Sequence, residues 1–355
     1  MKKLIFVLSL FLAQFTYGQE VFEFYNGVRA LGMGGATVAV VNDETALLQN
    51  PAGLGKLRDY FFTLADPEIE VGNENQQIMG VNLLGMVDPQ AVNNDLKDNP
   101  GKSIHTRAQV FPSIVLPNFG FGVFKKYELH GYMNAAGTEY DLQYFNDSAF
   151  IVGFNFRFLG GRLKLGFNAK VTNRIEIQED NLDPTRTDLT LETLGKEGIG
   201  VGSDVGLIAT LPWKFLPTLA IRARDVGDTK YDFKDGLFLN ATSYPTKDVQ
   251  KVDAALAIFP ILGNRSRSVI TLEVRDTLNM STYEDKYKLY HAGVEFNFFD
   301  AFFIRGGMNQ RYWTAGLELA MANYQLQFAT YGEEVGTATA NLESRRYVAK
   351  FAYRF

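Results

Sequence analysis

Tyr347-Val348-Ala349-Lys350-Phe351-Ala352-Tyr353-Arg354-Phe355 is the stretch that decides the fold of this 355-residue chain. Side chains along a strand point alternately to two faces. Tyr347, Ala349, Phe351, Tyr353 and Phe355 therefore share one face, and Val348, Lys350, Ala352 and Arg354 share the other. A water-soluble fold would have to bury the aromatic face. A membrane-spanning barrel turns it to lipid and keeps the basic and small residues inside.

The front of the chain agrees. Met1-Lys2-Lys3 is basic, Leu4 to Phe15 is apolar except for Ser9 and Gln14, and Thr16-Tyr17-Gly18 ends on a small residue. This reads as a signal peptide over 1–18, cut near Gly18, and too short to cross a bilayer as a helix. No later stretch holds the ~18 to 20 consecutive apolar residues that a transmembrane helix needs. The chain has 29 Phe, 17 Tyr and 33 Gly, a composition that favours strands. It has no cysteine, which excludes disulfides and thiol chemistry. Its net charge is −5, or −7 without Lys2 and Lys3, with no basic cluster, so nucleic acid is not an expected partner.

From Ile104 onward the hydrophobic period is two. Phe150, Val152, Phe154, Phe156 and Phe158 oppose Gly153, Asn155 and Arg157. Leu163, Leu165, Phe167, Ala169 and Val171 oppose Lys164, Gly166, Asn168 and Lys170. Leu159-Gly160-Gly161-Arg162 joins these runs as a tight hairpin. Later runs put Glu273, Arg275, Glu295, Glu318 and Lys350 on inward faces, with Trp213 and Trp313 at interfacial girdles. A β-sandwich would also alternate, but these runs often reach ten residues, as tilted spanning strands require. The expectation is an all-β, membrane-spanning antiparallel barrel over 57–355. Counting gives about 13 to 15 strands, and evenness selects 14. The first is expected within 57–66, with Tyr60, Phe62 and Leu64 outward. The polar stretch 72–103 interrupts the pattern and reads as an insertion of two short helices.

Residues 19–56 are not strand-like. Gly27 to Val40 is glycine-rich, and Asn42 or Asp43 is placed to cap a short helix through Leu48. Pro51 ends it and pushes Asn50 to an extended conformation. Gly32, Gly34 and Gly35 lack a dinucleotide-binding register, because position 37 is Thr.

Arg29-Ala30-Leu31-Gly32-Met33-Gly34-Gly35-Ala36 together with Asn50-Pro51-Ala52-Gly53-Leu54 resembles the N-terminal signature of the FadL superfamily, which includes the PorV-like barrels. Tyr290 to Phe296 followed by Phe303 to Gly307 is also PorV-like. The resemblance implies that 19–56 forms a hatch inside a 14-stranded barrel. It implies hatch or gate roles for Arg29, Gly32, Gly34, Gly35, Asn50, Pro51, Ala52 and Gly53. Tyr347, Phe351, Tyr353 and Phe355 are similar to the signal that barrel-insertion machinery reads. The function so implied is passage or binding of a hydrophobic small molecule across the outer membrane of a diderm bacterium. The alternative is a PorV-like scaffold that binds secreted or surface proteins through loops 178–198 and 228–248. A general porin fits less well, because a hatch blocks free diffusion.

Little else suggests chemistry. His105, His130 and His291 lie far apart in sequence, without metal-ligand spacing. Ser281 and Ser344 have no histidine placed beside them by the sequence. No cofactor, metal or enzymatic activity is expected. The mixed inward charges are expected to pair with one another around the hatch.

Overall fold

The computed structural model describes residues 20–75, 78, 88–263, 265–337 and 340–355. The expected signal peptide and its cut lie outside them. The N-terminal segment carries two short helices, α1 (Val28–Gly32) and α2 (Ala46–Gln49), and a 3-10 turn over Pro51–Lys56. The wall then runs β1 (Phe61–Ala65), β2 (Glu68–Gly72), helix α3 (Pro89–Lys97), β3 (Ser103–Val110), β4 (Ser113–Leu116), β5 (Phe119–Met133), β6 (Tyr140–Phe158) and β7 (Leu163–Leu182). It continues through the one-turn helix α4 (Leu191–Leu194), β8 (Lys196–Thr210), β9 (Thr218–Arg224), β10 (Lys234–Asp235), β11 (Lys251–Ile258), β12 (Ile261–Gly263) and β13 (Ser266–Val274). It ends with β14 (Tyr290–Phe298), β15 (Phe302–Asn309), β16 (Tyr312–Ala320), β17 (Tyr324–Glu334) and β18 (Glu343–Arg354).

These segments make fourteen spans, because β1 with β2, β3 with β4, β9 with β10 and β11 with β12 each form one interrupted span. All neighbours are antiparallel. β18 pairs with β17 on one side and with β1 and β2 on the other, which closes the cylinder. First and last spans can meet antiparallel only if the number of spans is even, as fourteen is.

The expected parity holds around the wall. Phe150, Phe154, Phe156 and Phe158 are exposed on the outside, as are Leu272, Phe328, Tyr347, Phe351 and Phe355. Lys164, Lys170, Glu273, Arg275, Glu295, Glu318 and Lys350 are buried inside. Trp213 and Trp313 are exposed. Tyr353 packs between Tyr324 and Phe355, with ring centroids 5.1 and 4.9 Å away.

Short connections, such as Leu159–Gly161 and residues 299–301, lie at the end where β1 begins and β18 finishes. The long loops lie at the other end. Helix α3 is there, with the Asp88 side chain accepting from Gln90 N. Val92 and Leu96 bury against Ile104, Leu129, Tyr140, Leu142 and Ile177. The sequence left the position of this insertion open, and packing places it under the long loops. The other expected helix falls largely on 76–77 and 79–87, outside the described residues. The loop expected from 178 begins only after Leu182, because β7 extends that far in register with β6.

Two adjacent spans are interrupted at one level. Asp66-Pro67 separates β1 from β2, and Phe111-Pro112 separates β3 from β4. Neither proline can donate to a ladder. The Asp66 carboxylate accepts from the Phe111 amide and pairs with Lys350 at 2.9 Å.

Candidate functional site

An eight-stranded barrel is filled by its own side chains, whereas fourteen strands enclose space that must be filled otherwise. Here the N-terminal segment fills it. Arg29, from α1, donates through Nε and Nη2 to Glu295 at 3.0 and 2.9 Å, and through Nη1 to Asn42 and Asp43 at 2.7 Å each. Arg305 donates to the same Glu295 at 2.6 Å and also to Glu318. The segment's backbone is held as well. Thr314 Oγ1 donates to Gly32 O at 3.0 Å, Arg275 Nη2 to Gly35 O at 2.6 Å, and Val38 N to Glu273 Oε2 at 2.9 Å. The inward charges thus meet the segment as well as each other.

Contact this close needs flat walls. Gly34 has φ +64°, and a Cβ there would lie 2.4 Å from Ala292 O. On the strands, a Cβ at Gly293 would lie 2.3 Å from Met33 O, and one at Gly166 would lie 2.1 Å from Pro51 C. These strand glycines are packing positions for the segment that the sequence reading missed. Their only signal was glycine on an inward parity.

Asn50, fully buried, is extended at φ −158° and ψ 106°, as Pro51 dictates. Its Oδ1 accepts from Ala52 N at 3.1 Å and its Nδ2 donates to Val38 O at 2.8 Å, tying the two halves of the segment. Gly206 lies against it, where a Cβ would stand 1.9 Å from Oδ1. Gly53 packs on Val41 and Ala46. The short helix begins later than expected, at Ala46, because Asp43 Oδ1 accepts from Thr45 N at 3.0 Å and makes a turn before it. All eight candidate residues, Arg29, Gly32, Gly34, Gly35, Asn50, Pro51, Ala52 and Gly53, therefore lie in one packed unit.

Above that unit, toward the long loops, residues 20–25 line one side of a half-open cavity of about 340 Å³. Phe22 packs on Phe145 with centroids 4.9 Å apart, and Phe24 on Phe124 at 5.0 Å. Three of the cations that line the cavity are held in close ion pairs. Lys170 meets Asp225 at 2.8 Å, Arg174 meets Asp147 at 2.7 Å and Asp248 at 2.9 Å, and Arg222 meets Asp253 at 2.6 Å. Burial alone would raise the Glu23 carboxyl, but Arg224 and Arg275 hold it down at about 2. At the short-turn end, burial pushes the Lys56 ammonium down to about 7, helped by Lys164 and Arg29.

Sequence spacing hid one constellation. The β3–β5 register sets His105 opposite His130, with ring centroids 5.9 Å apart. His291 stands elsewhere, bonded through Nδ1 to Gly34 O at 2.8 Å.

A closed fourteen-span cylinder, apolar outside and filled by its own N-terminal segment, defines a membrane-spanning β-barrel with an occupied lumen. Its fold is that of the FadL-type channels. Two forms of the monoaromatic hydrocarbon channel TodX, the ΔS2 and ΔS2S3 mutants, superpose with TM-scores of 0.54 and 0.53 at 11% identity, covering 93% of this chain and 98% of theirs. The CymD monoaromatic hydrocarbon channel gives 0.50 at 10% identity, covering 92% of this chain and 96% of its own. No family model and no curated protein matches this sequence.

Proposed function

We propose that this barrel sits in the outer membrane and passes small, predominantly apolar molecules, with residues 20–56 as its hatch. The observation that carries this reading is the 340 Å³ cavity bordered by residues 20–25 of the segment, whose lining mixes Phe22, Phe24 and Phe145 with charged side chains of the wall. It falls in the ~300 to 1,000 Å³ range of small-molecule sites. The cavity cations Lys170, Arg174 and Arg222 are already neutralised by carboxylates, so the site favours an uncharged solute over an anion. The similar channels named above carry monoaromatic hydrocarbons by name, which is the size class this cavity suits.

An exit follows from the wall. Tyr25, Leu48, Leu54, Phe111, Val115 and Phe124 form an apolar cluster that reaches from the cavity toward the interruption at Pro67 and Pro112. Release there delivers the solute sideways into lipid. The chain lacks cysteine, so Thr63→Cys with Ser113→Cys, at directly opposed positions, tests this cleanly. Oxidation should stop uptake of a labelled monoaromatic by cells, and reductant should restore it. Unchanged uptake by the oxidised protein removes the lateral route. Replacing Asn50 and Pro51 by alanine should impair uptake while heat-modifiable migration of the barrel persists. Normal uptake removes the hatch role. The scaffold alternative gains no support from these similar folds.

A further inference from the structure

We propose that Glu20, His105 and Glu128 hold a first-row divalent cation, with zinc the most suitable probe. One ligand atom from each lies within 4.8 Å of the other two, and all three residues are buried, at 3%, 1% and 5% exposure. The three come from separate elements: Glu20 from the N-terminal segment, His105 from β3 and Glu128 from β5.

The hydrogen bonds around the cluster set its chemistry. Glu70 Oε1 accepts from the Tyr331 hydroxyl at 2.7 Å, and Oε2 accepts from Arg107 Nη2 at 2.5 Å. Glu70 is thus an ionised acceptor, so the 2.8 Å contact from His105 requires Nε2 to carry the proton. In the neutral ring Nδ1 is then the lone pair, and it is buried and without a hydrogen-bond partner. Glu20 Oε2 is likewise buried and without a hydrogen-bond partner. A carboxylate behind the imidazole is the arrangement that orients metal-bound histidines.

Lone pairs brought together in a dry interior repel unless a proton or a metal lies among them. Two neighbouring cations each hold one oxygen of a ligand carboxylate, and the third acts elsewhere. Arg346 reaches Glu20 through Oε1 at 2.6 Å, Lys126 reaches Glu128 at 3.1 Å, and Arg107 serves Glu68 and Glu70. Four carboxylates thus meet three cations. His130 adds a second imidazole, with Nδ1 3.8 Å from Glu20 Oε2. Imidazole nitrogen with carboxylate oxygen suits zinc and its first-row neighbours better than magnesium or calcium. The cation would pin the start of the N-terminal segment to the wall, beside the cavity.

The test uses the untagged, full-length exported protein in detergent, stripped with chelator and titrated with zinc and with cobalt(II). One equivalent of zinc should bind and raise the thermal transition, and cobalt should give visible d–d bands. Glu20→Gln lies off the barrel strands, so it leaves assembly intact. It and His105→Ala should weaken zinc binding about 10- to 100-fold. No stoichiometric zinc on the native protein at micromolar free metal overturns the proposal. So does zinc binding that Glu20→Gln leaves unchanged. If His105→Ala fails to assemble, the native and Glu20→Gln titrations decide.

Discussion

The two halves of the lumen are built differently. The half near the short turns is backbone-tight. Glycines on β7, β8, β14 and β15 let the N-terminal segment press its carbonyls and side chains onto the strands. The Arg29–Glu295–Arg305–Glu318 chain locks it there. The half near the long loops keeps a cavity. There, aromatic rings from residues 22 and 24 touch the wall over paired charges, and three wall side chains, Lys126, Arg107 and Gln109, hold backbone carbonyls of the segment. The contrast suggests a division of labour. A region made of backbone contact and buried ion pairs changes state cooperatively, because its contacts cannot stretch. A region made of rings around a void adapts to a guest.

That comparison can be broken at its strongest point. Arg29→Ala leaves Glu295 buried with only Arg305 for company, which should cost about 3 kcal/mol or more of segment seating. We expect residues 20–56 to become protease-sensitive and the barrel to conduct ions, while heat-modifiable migration persists. A segment still protected, with conductance unchanged, would show that the ion-pair chain is not what seats it.

Gly206→Leu tests the tight packing itself. The new side chain collides with Asn50, and overpacking of this kind costs about 1 to 3 kcal/mol. The same protease assay should report a smaller rise than for Arg29→Ala. Phe145→Ala belongs to the other half. It should weaken binding of a monoaromatic probe roughly tenfold by loss of an aromatic contact. Proteolysis of the segment should stay at the native level. If Phe145→Ala also unseats the segment, the two halves are one unit and the comparison fails.

The smallest effect is a pH dependence at Lys56. Its ammonium sits near 7 when the segment is seated, against about 10.5 when free. Between those values the unseated state binds more protons, so seating strengthens as pH rises from about 7 toward 10.5. Below 7 both states are protonated and the full penalty is present. Lys56 is partly exposed, so screening limits the change to about 0.5 kcal/mol. Segment protection measured at pH 7 and at pH 9.5 should differ in native protein and coincide in Lys56→Met.

Much of the wall was legible because a barrel strand answers to two solvents with period two. Phe150 to Phe158 and Lys164 to Lys170 declared their faces without any knowledge of their neighbours. Asn50 before Pro51 likewise announced its extended backbone, since that preference is local steric clash. The candidate site was legible only in its N-terminal half. Gly166, Gly206 and Gly293 looked like ordinary strand glycines. What distinguishes them is the segment pressed against them, more than a hundred positions away in sequence.

Sequence alone therefore determined which side of each strand meets lipid and where the chain stops being strand-like, because alternation and proline sterics act within a few residues. Tertiary structure alone decided that His105 faces His130, that Arg29 reaches Glu295, and that the prolines at 67 and 112 interrupt the wall at one height. Each of these depends on register between strands, and register is fixed by closing the whole cylinder.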